Sequence, residues 1–326
     1  MQKLILFLTT FLAAFVLLNP LSSREERIVY FDIGQGDSAL IQLGEFEILI
    51  DGGSSDEIIY KLSKYLPPTD REIEVVVLTH PHADHLSGLL DVQERYTVGW
   101  YIDYPVEYST PGYEEFLRDS DWLSCDHWLR DNVVRGEQKL SCTSRRVQVQ
   151  NLPVGLEVYI YYPILTNETH SLYQPEKAIS QRNCDMKSNG DTELFPPRPN
   201  INNDSVVVLL EYKGESYLFM GDAEREEEGV LLHLLDKASG GFSEQPTFFR
   251  ELNESNSVRV LKAGHHCSNT SSTKRFIKTV NPQFIVCSVG KDNKFGHPHK
   301  RTTDLFEGLG IPYAVTWQSG DIVVGL

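Results

Sequence analysis

The sequence predicts a mixed α/β fold. Two observations support this class: short runs of β-branched and apolar residues recur along the chain, and segments of helical periodicity separate several of them. The first six predicted elements follow the order strand, strand, strand, helix, strand, helix, which differs from the regular alternation of a doubly wound sheet. Hydrophobic residues make up 40% of the 326 residues, which is enough for a sizeable core.

Residues 4–18 form an almost wholly apolar run behind Lys3. The run is shorter than the roughly twenty residues of a membrane-spanning helix, and its flanks are typical of a secretory signal peptide. We therefore expect residues 1–23 to be removed during export, with an uncleaved membrane anchor as the alternative. No later stretch has the length of a span, so the sequence predicts a stand-alone secreted or periplasmic protein.

Residues 24–326 are predicted to form one domain with a long insertion. The predicted strands cover 27–31, 38–42, 46–50, 73–78, 157–163, 205–212, 216–220, 258–262, 284–288 and two short C-terminal segments. The predicted helices cover 56–65, a segment from Leu86 onward, 224–237, 272–280 and about 302–309. Residues 104–200 are rich in Tyr, Pro, Asn and Ser, and we interpret them as an insertion that either borders the functional site or has no functional role.

Gly34 and Gly36 lie between the first two predicted strands. Two glycines at this spacing predict a tight turn with positive φ, or close approach of another backbone segment. The third glycine and the following helix of a dinucleotide-binding fingerprint are missing, so this turn does not indicate a nucleotide cofactor.

Four potential metal ligands follow the strand 73–78 within six residues, namely His80, His82, Asp84 and His85. Imidazole and carboxylate groups both bind borderline metals such as zinc. Pro81 keeps the segment out of regular helix, so alternate side chains can converge on one point. The alternative is a solvated polar loop, but this density of ligands at the end of a buried strand favours a metal site.

Other predicted strands also end in acidic or imidazole residues, which are Asp51, Asp222 and the pair His265 and His266. A single Asp after a strand is usually a turn or cap residue. Strand ends at one rim of a sheet are where sites are assembled, however, so the recurrence indicates that these residues join the first cluster.

These motifs resemble those of the metallo-β-lactamase fold. Thr79–Gly88 resembles its metal motif, and Asp51-Gly52-Gly53 resembles its first acidic motif. More narrowly, the chain resembles the hydrolase domain of ComEC-type competence proteins. The segments that carry this narrower likeness are Asp32–Ser38, Gly221–Glu224, Leu261–Ser268 and Phe295–His299. The likeness covers nearly all of 27–326 outside the predicted insertion.

The resemblance implies a four-layer αββα sandwich with a two-metal site at one edge, acting on phosphodiesters through a metal-bridging hydroxide. The implied ligands of the two divalent ions, zinc or manganese, are His80, His82, Asp84, His85, Asp222 and His266. Asp222 would bridge the ions, and Asp51 would orient a ligand histidine. The resemblance leaves His265 to contact the substrate, although His265 and His266 could exchange roles. The predicted catalytic residues are Asp84, as a metal ligand, with His265 and His297, which lie in glycine-flanked loops and could contact the phosphate or deliver a proton to the leaving oxygen.

The chain departs from the family pattern at two places. The superfamily usually has another histidine before Asp222, where this chain has Asn202-Asn203-Asp204-Ser205, so Asp204 or water would complete the first ion's ligands. Cys267 replaces a usual glycine, and either its Cβ would cost loop geometry or its thiol would lie close to the metals. The five cysteines lack zinc-finger spacing, and a Cys125–Cys142 disulfide is expected in an oxidising compartment, with free thiols as the alternative.

The net charge of −16 speaks against a generic nucleic-acid-binding surface. From Arg259 to Arg301, however, nine Lys and Arg face one acid, a local charge of +8. This segment either follows a phosphate backbone, with Lys262 and Lys274 as remote electrostatic contacts, or forms a salt-bridged face. A metal-dependent phosphodiesterase acting on nucleic acid is therefore the leading hypothesis. The alternatives are hydrolysis of a phosphorylcholine-type ester, lactone or β-lactam, and a binding module with structural metals.

Overall fold

Two mixed β-sheets form the centre of the molecule. The computed structural model describes residues 25–103, 108–119, 133–135, 140–142, 145–147, 153–154, 156–161, 200–238 and 257–326. The first sheet has the spatial order β15 (Ile322–Gly325), β1 (Arg27–Tyr30), β2 (Ala39–Leu43), β3 (Phe46–Ile50), β4 (Glu72–Val77) and β5 (Thr97–Ile102). Strands β3, β4 and β5 are parallel, and the other neighbours are antiparallel.

The second sheet contains seven strands. In spatial order they are β14 (Tyr313–Val315), β13 (Phe284–Cys287), β12 (Val260–Lys262), β11 (Glu215–Phe219), β10 (Val207–Tyr212), β9 (Leu156–Tyr161) and β6 (Val133–Arg135). The neighbours from β11 to β14 are parallel, and those from β11 to β6 are antiparallel. A separate pair contains β7 (Leu140–Cys142) and β8 (Arg145–Val147).

Seven α-helices accompany the sheets within the described residues. They are α1 (Glu57–Tyr65), α2 (Ala83–Arg95), α3 (Pro111–Asp119), α4 (Arg225–Ala238), α5 (Lys274–Val280), α6 (Lys300–Leu309) and α7 (Thr316–Ser319). Two 3₁₀ turns cover Ile201–Asp204 and Gly264–Cys267. In the part of the chain that the structure describes, no helix is both long enough and apolar enough to cross a membrane.

Side-chain alternation along β10 separates two apolar cores. Val208 and Leu210 belong to a core that also contains the first sheet and the buried faces of α1, α2 and α3. Val207 and Leu209 belong to a second core, which contains the buried faces of α4, α5 and α6. Because successive strand residues point to opposite faces, the order of layers is helix, sheet, sheet, helix. The predicted four-layer αββα fold is confirmed.

The structure corrects the predicted elements at several points. Helix α2 begins at Ala83 rather than Leu86, so Asp84 and His85 lie on its first turn and not in a loop. An acidic residue is favourable there because it faces the positive end of the helix dipole. Strand β5 and helix α3 were missed. Strands β6 and β9 belong to the second sheet, so the predicted insertion 104–200 contains part of the core. The predicted signal peptide 1–23, the tract 162–199 and Cys125 of the predicted Cys125–Cys142 bond lie outside the described residues.

Candidate metal centre

The candidate ligands converge where the two sheets meet at one edge. The parallel strands β3 and β4 of the first sheet lead into Asp51 and His80 at their carboxyl ends, and α2 then presents Asp84 and His85. The parallel strands β11 and β12 of the second sheet lead into Asp222 and the His265-His266 pair. Each half of the chain therefore contributes one part of the site.

Asp222 lies at the centre of this cluster. Its Oδ1 is 3.4 Å from His85 Nε2, and its Oδ2 is 3.3 Å from His266 Nε2 and 3.9 Å from His80 Nε2. The Oδ2 of Asp84 lies 3.4 Å from His266 Nε2. These side chains form overlapping groups of three whose donor atoms are close enough to share an ion. Asp222 thus lies within 4 Å of three imidazoles that the resemblance implies as ligands.

Several buried imidazole nitrogens and carboxylate oxygens in this cluster have no hydrogen-bond partner within the described residues. They are His85 Nε2, His266 Nε2, Asp222 Oδ1 and Asp37 Oδ1. A buried polar atom without a partner costs about 1–3 kcal/mol, so such atoms are uncommon and need an explanation. Nitrogen and carboxylate donors that face one another in a buried cluster fit divalent metal ions. The residues present therefore match the two-metal site that the resemblance implies.

The electrostatics of the cluster also favour cations. Burial alone would lower the pKa of His266, but the carboxylates of Asp222 and Asp37 outweigh it and raise that pKa well above its ordinary value. The pKa of His85 is raised in the same way, against burial, by Asp222 and Asp51. The buried carboxylates thus create a strongly negative environment that a bound metal ion would neutralise.

Not every predicted ligand lies in these groups. His82 Nδ1 is 2.9 Å from His80 Nε2, but the half-buried ring of His82 lies outside the groups of three within the described residues. Asp204 is buried in the 3₁₀ turn Ile201–Asp204 and also lies outside them. The structure therefore brings together His80, Asp84, His85, Asp222 and His266, with His82 adjacent to His80.

Asp51 supports His85 from behind. Its Oδ2 accepts a hydrogen bond of 2.8 Å from His85 Nδ1, and its Oδ1 accepts one of 2.8 Å from the backbone N–H of Thr79. The Thr79 hydroxyl also donates to Oδ2 at 2.7 Å. The carboxylate fixes the ring so that Nε2 faces the metal centre, which is the positioning contact expected of Asp51.

Asp37 and Lys262 form a buried ion pair that the sequence analysis missed. Their exposed fractions are 5% and 3%, and Lys262 Nζ contacts the Asp37 carboxylate while donating to the Gly221 carbonyl at 2.9 Å. Asp37 Oδ1 also lies 3.2 Å from His266 Nδ1. The expectation that Lys262 is a remote electrostatic contact is therefore wrong. The only indication in the sequence was that Asp37 ends the segment Asp32–Asp37, which carries part of the family resemblance.

The turn before Asp37 approaches the cluster closely. Gly34 and Gly36 have φ values of 77° and 129°, as their spacing predicted. A Cβ on Gly36 would collide with the carbonyl oxygen of Asp84. The backbone N–H of Asp37 donates to that same carbonyl at 3.1 Å. Glycine at this position thus lets the turn pack against the first turn of α2.

His265 is held by a carboxylate outside the metal cluster. Its Nδ1 lies 2.8 Å from Glu224 Oε1, and Asn200 and Asn202 donate to the same carboxylate at 2.7 Å and 3.3 Å. Burial would raise the pKa of Glu224, but the hydrogen bonds from His265 and Asn202 outweigh it and lower that pKa. The His265 ring is more exposed than that of His266, and its Nε2 faces Asp222 at 3.9 Å. His265 is therefore the histidine of the pair that a substrate can reach.

His297 closes the other side of the cluster. Its ring centroid lies 5.3 Å from that of His265 and 6.0 Å from that of His266. Burial and the neighbouring imidazoles of His266 and His265 lower the pKa of His297 to about 4. The structure thus places the predicted catalytic pair of His265 and His297 next to each other.

Cys267 lies in a left-handed conformation, with φ of 58°, directly after His266. That backbone region favours glycine, the residue expected at this position from the resemblance. The Sγ of Cys267 is bonded to that of Cys287 at the end of β13, so the expected thiol near the metals is not present. His266 Nδ1 donates to the carbonyl of Ser288, the residue after Cys287, at 3.0 Å. The disulfide therefore ties the histidine loop to the strand that supports it.

The chain is similar in sequence to several known proteins. Residues 31–149 match the model of the metallo-beta-lactamase superfamily. The chain is 30% identical over 121 residues to ComE operon protein 3 of Bacillus subtilis, covering 37% of this chain and 13% of that protein. It is 23% identical over 325 residues to competence protein ComA of Neisseria gonorrhoeae, covering 97% of this chain and 35% of that protein. The chain thus spans about a third or less of the length of these curated relatives.

Among solved structures, the chain is similar to Tm1679, a metal-dependent hydrolase of the beta-lactamase superfamily. The TM-score is 0.48 at 14% sequence identity, covering 92% of this chain and 99% of that chain. The metallo-beta-lactamase fold protein YhfI from Bacillus subtilis gives a TM-score of 0.47 at 11% identity, with the same coverage of 92% and 99%.

Proposed function

The chain contains a metallo-beta-lactamase superfamily domain with distant homology to competence proteins, and from this premise we propose that it is a two-metal phosphodiesterase acting on nucleic acid. The observation that carries the proposal is the set of buried, unpartnered nitrogen and carboxylate atoms contributed by both sheets. Such a set would hold two divalent ions, zinc or manganese. When bound, two ions would supply a nucleophilic water at neutral pH and neutralise charge on a phosphate.

The residues of the chain have separate roles in this proposal. The ions would be held by His80, Asp84, His85, Asp222 and His266. His82, whose Nδ1 lies 2.9 Å from His80 Nε2, would be a further ligand. Asp51 keeps the His85 ring in place, and the carbonyl of Ser288 does the same for His266. These supports fix the ligand geometry before substrate arrives, so little reorganisation is needed on binding.

Hydrolysis joins a water oxygen to phosphorus, breaks the bond from phosphorus to the leaving oxygen, and requires a proton at that oxygen. His265 Nε2 is the candidate donor, because Glu224 holds Nδ1 and the ring is partly open to solvent. His297 packs against this ring and excludes water from one side of it. General acid catalysis of this kind contributes roughly 10²–10⁴-fold to a rate.

Two further points favour a nucleic acid over another ester. The exposed cations of the segment 259–301 are Lys274, Arg275, Lys278, Lys291, Lys294, Lys300 and Arg301, and a basic surface in an otherwise acidic protein attracts phosphates. One relative is named a competence protein, and another is recombination protein 2 of Haemophilus influenzae, 23% identical over 87% of this chain and 27% of that protein.

The test uses the purified chain loaded with Zn²⁺ or Mn²⁺. We expect elemental analysis to give close to two ions per chain, and we expect cleavage of single-stranded DNA and of bis(4-nitrophenyl) phosphate. Nitrocefin and a choline phosphodiester serve as comparison substrates for the alternative activities. If either of these is turned over while polynucleotides are untouched under any divalent metal, the nuclease proposal is wrong.

A further inference from the structure

An exposed aromatic ring lies beside the metal centre, on the loop between β13 and α6. The side chain of Phe295 is 51% exposed. Its ring stacks on that of His297, with centroids 5.7 Å apart and an interplanar angle of 24°. The buried His297 ring in turn contacts His265 and His266. Two ring contacts therefore connect the exposed phenyl group with the candidate metal ligands.

Two lysines and one acid, Asp292, are exposed on the loop that carries this ring. Lys291 and Lys294 are exposed on the same loop, and neither forms an ion pair with any residue that the structure describes. Lys294 Nζ lies 5.2 Å from the centroid of the Phe295 ring. Proteins that bind single-stranded nucleic acids combine the same two features, aromatic rings on which bases stack and cations that follow the backbone.

We propose that Phe295 is a stacking platform for a nucleobase adjacent to the phosphate at the metal centre, and that it selects single-stranded polynucleotides. This inference rests on the proposed phosphodiesterase function. Bases within a duplex already stack on their neighbours, so only an unpaired base gains a full contact from the platform. The flexible Lys294 side chain exchanges its contact with the ring for a phosphate when the base arrives.

The proposal predicts that cleavage depends on the presence of a base. The metal-loaded enzyme is assayed on a single-stranded oligonucleotide and on an abasic oligonucleotide with the same backbone. The wild-type ratio of kcat/KM for these two substrates should be roughly 5- to 150-fold, which is the effect of one stacked base. In Phe295→Ala the ratio should fall close to one, and Phe295→Trp should restore it. Phe295→Leu keeps apolar bulk but lacks the π face, so its ratio should stay low.

Tyr60→Ala is the matched control. Tyr60 is 62% exposed on α1 and also has a lysine above its ring, Lys64, with Nζ 4.5 Å from the centroid. Removing the Tyr60 ring should leave the ratio of kcat/KM for the two oligonucleotides at the wild-type value. A wild-type ratio near one, or a Phe295→Ala ratio equal to that of wild type, would overturn the platform while leaving the phosphodiesterase proposal intact. If wild type cleaves neither oligonucleotide, the proposed function fails and the platform fails with it.

Discussion

Lys262 Nζ contacts the carboxylate of Asp37 beneath the metal centre, and both side chains are almost completely buried. Burial would raise the pKa of Asp37, but Lys262 and His266 outweigh it and lower that pKa. The pair therefore stays charged in the protein interior, where each charge depends on the other. This arrangement makes Lys262 a structural residue of the site, although charge counting along the sequence places it in the basic segment.

Lys262→Met should lower the free energy of unfolding by about 3–5 kcal/mol, because it leaves the Asp37 carboxylate buried without its countercharge. Lys274→Met, at an exposed position on α5, should change it by less than about 0.5 kcal/mol. Urea denaturation of the two metal-free variants measures both values. Adding Asp37→Asn to Lys262→Met should recover part of the loss, and equal effects of the two lysine variants would contradict the buried pair.

Asp84→Ala should abolish turnover with little loss of stability. The carboxylate is partly exposed on the first turn of α2 and faces His266, so its removal takes away a ligand but little core burial. The lost interaction with the helix dipole should cost about 0.3–1 kcal/mol. Asp91→Ala, which removes an acid on the same helix from an ion pair with Arg95, should keep wild-type turnover. Near-normal turnover of Asp84→Ala would remove Asp84 from the ligand set.

Asp51→Asn should weaken metal binding by roughly 10- to 100-fold. Asparagine can still accept the hydrogen bond from Thr79, but its neutral side chain no longer holds the His85 ring as the carboxylate does. Competition with a chromogenic chelator measures the affinity without any assay of activity. Unchanged affinity would show that His85 is positioned by its other contacts.

Asp103→Asn should stabilise the protein at alkaline pH. Asp103 follows β5, is buried and accepts a hydrogen bond of 3.1 Å from Tyr113. Burial raises its pKa to about 7, from an ordinary value of 3.8, against the opposing effect of that hydrogen bond. Between these values the folded state keeps a proton that the unfolded state has lost, so the free energy of unfolding falls as pH rises from about 4 to about 7.

The gain from Asp103→Asn should therefore be small near pH 4 and reach at most about 4 kcal/mol at pH 8, since one pKa unit corresponds to about 1.4 kcal/mol. Thermal denaturation of both proteins across this range measures the difference. Asp292→Asn, at an exposed position, serves as the control. A difference between Asp103→Asn and wild type that does not change with pH would contradict the raised pKa of Asp103.

The predicted signal peptide gives a testable prediction about cleavage of the N-terminus. Residues 1–23 combine a positive charge with an apolar run, so N-terminal sequencing of the exported protein should begin after residue 23. A chain that begins at Met1 and stays in the cytosol would refute export.

The sequence correctly predicted those strands and turns whose conformation depends on a few neighbouring residues. The strand before His80 and the Gly34–Gly36 turn both follow from β propensity and glycine conformation within short windows. The predicted helix start at Leu86 is three residues late, because Pro81 restricts only its immediate neighbours and leaves Asp84 and His85 free to be helical.

Contacts between distant segments could not be predicted in the same way. Asp37 and Lys262 are separated by 225 residues, and nothing in either local sequence indicates that one neutralises the other. The Cys267–Cys287 bond depends equally on the parallel pairing of β12 with β13, which brings the ends of these strands together. The candidate ligands could be predicted from the sequence because many lie in one short motif and the others follow the ends of buried strands.

Because the metal centre lies where the sheets meet, its ions would link the two halves of the chain. Without them, the two halves meet at this edge through Asp222, His85 and His266, whose unpartnered nitrogen and oxygen atoms contribute little to holding the sheets together. This edge should then open first under heat or chelation. Metal content would thereby set how readily a protease cleaves the chain at this edge.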